Sequence, residues 1–187
     1  NCSIRSRGNI INTMRKKFLL IICFLFTFNS ISSACNFKIS NFGDPKEKLK
    51  LEGPEPILMP DQFGGENFLF PIIDVCKNDK SFEGTMLIYL YIDNKLSRVQ
   101  LYRANKQDTN LMDFAMSKYG KFNLPEGLPK LMWRGSYQWE KGNDRIEYIF
   151  TNIHDGHAEI IDITSKLYAF GMEEYNEKVG EWLDSQK

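Results

Sequence analysis

Histidine, cysteine and long apolar runs are all scarce in this chain, and each shortage removes a class of function. Of 187 residues, two are histidine (His154 and His157) and four are cysteine. A structural zinc centre needs four ligands at recognisable spacings, and none appear. The longest apolar stretch, Phe18 to Phe28, covers 11 residues, about half of the ~20 that a membrane-crossing helix requires. No Gly-x-Ser-x-Gly elbow is present, and a serine without a placed histidine is inert at neutral pH. Gly64-Gly65 is followed by Glu66 rather than by lysine and a helix, so the chain has no phosphate loop. Glu147, Glu159, Asp162, Glu173 and Glu174 show no spacing that singles out an acid–base pair. No motif calls for a cofactor, and catalysis has no visible support.

What is present begins with an address. Three cations (Arg15, Lys16, Lys17) precede the apolar stretch, and small residues end it at Ser32-Ser33-Ala34. A basic region, an apolar core and a small-residue cleavage site in that order read as a secretory signal over residues 14–34. An uncleaved anchor is the alternative. The first 13 residues contain no methionine and read as an extension upstream of a start at Met14.

Cys35 follows the cleavage point directly, as in a lipoprotein signal. Three positions before it, however, stands Ser32 rather than a branched apolar residue, and Ser32 with Ala34 fits ordinary signal cleavage. Cys2 and Cys23 fall upstream, which leaves Cys35 and Cys76 as a pair. Two cysteines in an oxidising compartment predict a disulfide, while lipid on Cys35 would strand Cys76 and tether the protein to a membrane. The expected location is periplasmic or secreted, with a Cys35 lipid anchor as the alternative.

Charge changes with the signal. Five of the 24 basic residues and none of the 24 acidic ones lie in residues 1–34, so 19 cations face 24 anions downstream. That acidic balance repels phosphate backbones and argues against nucleic acid as a partner. The 153 residues from Cys35 onward suit a single domain.

Prolines 45, 54, 56, 60 and 71 interrupt every periodic pattern between Asn36 and Pro71, which predicts an irregular segment over 35–84 that packs on the domain behind it. Short strands are expected in it at Phe37–Ile39 and Phe68–Val75. From 85 to 187 the pattern reads strand, strand, helix, three strands, helix. This is an α+β domain with two helices on an antiparallel sheet of about five strands. A turn at Asn94-Lys95 would pair Leu90 with Val99 and Ile88 with Leu101. Asp108 or Thr109 caps a helix over Asn110 to Tyr119, and Gly120 ends it. Asp155-Gly156 would turn a hairpin that pairs Phe150 with Ile161 and Tyr148 with Ile163. Tyr175, Val179 and Trp182 give Met172 to Leu183 a helical apolar stripe.

Two candidate sites follow. The first hairpin would carry Leu87, Tyr89, Tyr91 and Tyr102 on its second face, a patch suited to a protein partner in the cell envelope unless the segment Phe37 to Ile73 covers it. His154 and His157 would be cross-strand neighbours, two ligands toward a metal-dependent hydrolase or metal-binding site with Asp155 or Glu159 nearby. The expectation is an exported binding or interaction protein acting through non-covalent contacts, with the histidine turn as the alternative.

Overall fold

The computed structural model describes residues 35–77 and 79–186. The chain divides into two units, Asn1–Ala34 and Cys35–Lys187. The expectations of an upstream extension and a signal fall on the first unit, outside the described residues.

Seven strands form one antiparallel sheet: β1 (Ile57–Pro60), β2 (Gly65–Pro71), β3 (Met86–Ile92), β4 (Lys95–Ala104), β5 (Gly135–Lys141), β6 (Asp144–Ile153) and β7 (Gly156–Ser165). Among the described residues two α-helices accompany them, α1 (Asn110–Tyr119) after β4 and α2 (Ala169–Ser185) after β7. The spatial order is β1-β2-β3-β4-β7-β6-β5. The architecture is α+β, but with seven strands where about five were expected. The additional pair, β1 and β2, arises within the segment read as irregular, and β2 overlaps the short strand expected at Phe68–Val75 over Phe68 to Pro71. There Pro60 and Pro71 stand at strand ends, where a missing N–H costs the ladder least. Phe37–Ile39 is not a strand.

Cross-strand register sorts the side chains into two faces. The inner face carries the rows Phe68–Tyr89–Val99–Ile163–Ile146–Trp139 and Phe70–Leu87–Leu101–Ile161–Tyr148–Tyr137. α1 packs on this face through Leu111, Met112 and Ala115, all buried in the main core. Residues 35–51 close the same side, contributing Phe37, Ile39, Phe42, Leu49 and Leu51. The outer face bears a separate and smaller cluster, in which Met172 and Tyr175 of α2 bury Leu90, with Phe63, Ile92 and Val179 at its margin.

Both hairpins turn elsewhere than expected, with different consequences. Between β3 and β4 the turn is Asp93-Asn94, whose φ values of 50° and 58° are the pair a tight two-residue hairpin of this twist requires. Moving the turn by one residue shifts each partner by two, to Ile92 with Lys95 and Tyr91 with Leu96. One extra residue in β4 takes the net slip back to one, pairing Tyr89 with Val99 and Leu87 with Leu101. A slip of one reverses which residues face inward. A bulge opposite Leu90 and Tyr91 leaves Ser97 unpaired and lets both Leu96 and Val99 reach the core. Between β6 and β7 the turn is His154-Asp155, so Phe150 meets Glu159 and Tyr148 meets Ile161. Each partner moves by two residues, and the faces are preserved.

Candidate functional site

Leu87, Tyr89 and Tyr91 were expected on a surface for a partner unless the segment Phe37 to Ile73 covered it, and that segment does cover them, at no more than 1% exposure. Phe68 meets Tyr91 edge to face at 5.3 Å between ring centroids, and Phe70 lies 5.5 Å from Tyr89. The chain from Cys35 to Asp44 forms a strap on this face. The Tyr89 hydroxyl donates to the Phe37 carbonyl (2.5 Å) and accepts the Ile39 N–H (2.9 Å). Gly43 N–H donates to Leu96 O, and Leu96 N–H returns to Asp44 O. Burial pushes the Tyr91 hydroxyl up to about 12 and drives Tyr89 further in the same direction. Tyr102 points the other way, paired with Met86 and Ile160 on the outer face.

Cys35 and Cys76 stand together at disulfide distance, with Cα atoms 5.4 Å apart. The pair joins the start of the strap to the short turn after β2, beside buried Ile72. A thiol held in this bond is not free to carry lipid.

The histidines do not converge. His157 lies opposite Asn152, and His154 sits in the turn with its side chain 98% exposed. His157 Nε2 is 2.8 Å from the Lys106 carbonyl, and its ring packs against Phe150. Asp155 approaches His154, at 3.7 Å. Glu159 is turned into the core. Among the described residues no group of three or more His, Cys, Asp or Glu side chains is placed to hold a metal.

One polar cluster has no counterpart in the sequence reading. Arg103 and Glu159 face each other across β4 and β7, both with side chains 3% exposed. Arg103 forks onto Asp108 and lies 3.5 Å from Glu159. Glu159 Oε1 accepts the Tyr148 hydroxyl and the Met112 N–H, each at 2.9 Å, which ties the first turn of α1 to the sheet. Asp108 also accepts the Asn110 N–H and so caps α1 from outside. Burial raises the Glu159 carboxyl above its ordinary value, while the Arg103 guanidinium holds Asp108 below its own. Arg103 and Glu159 are enclosed, while Asp108 opens to the surface with its side chain 44% exposed. The cluster joins helix to sheet, and its only sequence signal is one cation and one anion at matching places in two apolar strands.

A partly accessible apolar row lies on the outer face. Met86, Tyr102, Ile160 and Ile149 form a cross-strand row over four strands, with Ile88 and Leu69 beside it. All six are half-buried, and among the described residues they belong to neither apolar cluster. At the sheet edge β1 exposes Ile57, Leu58 and Met59 at 63%, 49% and 53%. No helix among the described residues is long and apolar enough to cross a membrane. Comparison with known proteins finds no family model that matches this chain, and no similar curated protein or solved structure.

Proposed function

We propose that this protein is an exported interaction module that recognises a protein partner through the outer face of its sheet. The row Met86–Tyr102–Ile160–Ile149 carries the reading, because contiguous apolar surface of this kind marks contacts. Tyr102 adds an amphipathic ring to it, suited to burying area while keeping a polar tip. The edge strand β1 extends the surface with three exposed apolar residues and, among the described residues, no further strand beside it, an arrangement that accepts an added strand. The partner would then present an extended apolar segment.

Export is supported by the order of residues 14–34 and by the Cys35–Cys76 pair, since disulfides persist in oxidising compartments. A photo-crosslinking residue placed at Tyr102 in producing cells should yield a discrete adduct, whereas the same residue at Glu126 should not. Equal adducts at both positions, or none at Tyr102, would overturn the outer-face reading. Intact mass of the released protein tests export separately, and a chain beginning at Cys35 without added lipid is the expected result.

A further inference from the structure

The outer face is closed at one end only, by α2, and the closure has the construction of a lid. We propose that α2 opens and closes as a unit separate from the rest of the domain, latched by Tyr175 against Asp61, and that opening uncovers Leu90 and Ile92. Met172 and Tyr175 are its only buried residues, and they belong to a cluster that the sheet separates from the main core. Lifting the helix therefore leaves the inner face intact. Asp61 in the β1–β2 turn accepts the Tyr175 hydroxyl at 2.6 Å as well as the Phe63 and Gly65 N–H groups. Phe63 sits edge-on to both Tyr175 and Trp182. The latch and its wedge thus come from one short turn.

The pivot is fixed on both sides. Lys166 N–H bonds to Asn143 O, and the Tyr168 ring rests on Gly43, where a Cβ would overlap it. Beyond the pivot the helix has little stability of its own. Tyr168 makes no side-chain cap, no acid lies in the first turn and no base in the last. Gly171 and Gly180 weaken it further. Such an element is held by docking and is drawn from the low-stability end of a fold. Its bearing on partner binding rests on the outer-face reading above, but the motion itself does not.

Hydrogen exchange on the full chain without any partner tests the lid. Amides of Met172–Ser185 should exchange well before those of β6 and β7. Tyr175→Phe should speed α2 exchange by roughly 10- to 100-fold, the range that loss of a charge-assisted hydrogen bond implies, and leave β6 and β7 unchanged. Gly65→Ala provides a second route. Its Cβ would stand 2.5 Å from Asp61 Oδ2 and 2.8 Å from Leu90 Cδ1 and Tyr175 Cε2, so it should displace the latch and wedge the helix away with the same selectivity. Exchange of α2 in step with β6 and β7, or variants that move both alike or leave α2 unmoved, would overturn the proposal.

Discussion

The Tyr89 hydroxyl hydrogen-bonds Phe37 and Ile39 at once, giving its proton to one backbone group and accepting from the other. A single phenol oxygen in β3 thereby satisfies two peptide groups of a strap that has no regular strand pairing. Tyr89→Phe keeps the ring and removes both bonds, stranding a carbonyl and an N–H. The expected cost is about 1–3 kcal/mol in urea unfolding, with faster proteolysis after Lys38. An unchanged urea midpoint would refute this role.

The Cys35–Cys76 bond closes a sequence separation of 41 residues. On chain entropy alone, Cys35→Ala with Cys76→Ala should lower stability by about 4 kcal/mol. Mapping free thiols in the folded protein supplies the prior check, and two reactive cysteines would contradict the bond.

Opposite pH slopes are expected from the two acids of the Arg103 cluster. Glu159 is shifted upward by burial, so the folded protein holds its proton more tightly than the unfolded chain does. Its stabilising contribution is complete below the unfolded value of 4.5 and is lost as pH rises through the folded value. The stability deficit of Glu159→Gln should therefore shrink between about pH 4 and about pH 7. Asp108 is shifted downward by Arg103. Its contribution is present above 3.8 and is lost as pH falls through its folded value, so the deficit of Asp108→Asn should grow from about pH 3 to about pH 7. Urea unfolding of parent and variants across that range checks both signs.

Gly43 turns the strap with φ 82° beneath the Tyr168 ring. Gly43→Ala imposes a left-handed conformation on a residue with a Cβ and drives that Cβ into the ring. A loss of about 2 kcal/mol is expected, seen as a fall of roughly 4–8 °C in the melting temperature for a domain of this size.

Legibility in the sequence followed the strength of local signals. α1 ends where Gly120 says it should, and Asp108 does cap it, although the residue next to the helix is Thr109. Strand β5 and the order of elements from β3 to α2 were also readable. The β3 register was not, because Met86 to Ile92 is apolar at every position and gives no alternation to choose a face. The bulge at Ser97 leaves no local signal, and without it the register from the turn sends the core tyrosines Tyr89 and Tyr91 to the surface. The β6–β7 turn was displaced by the same one residue, and with no bulge the faces were kept while every expected pair, His154 with His157 included, moved apart. Strand β1 and the bounds of β2 were obscured by prolines, whose positions at strand ends become visible only once β2 pairs with β3. The Arg103–Glu159 contact joins residues 56 apart in sequence, and no local pattern reports such a distance.

The strand order β1-β2-β3-β4-β7-β6-β5 has a kinetic consequence. Every pairing but β4 with β7 links strands consecutive in the chain, so two meanders can assemble by local zippering on either side of α1. The β4–β7 seam joins them across a long loop, whose closure entropy must be met before its hydrogen bonds reward it. Arg103 and Glu159 sit on that seam, and Glu159 also grips the helix that spans the gap. Substitutions there should slow refolding, whereas those in the β1–β2 hairpin should mainly speed unfolding.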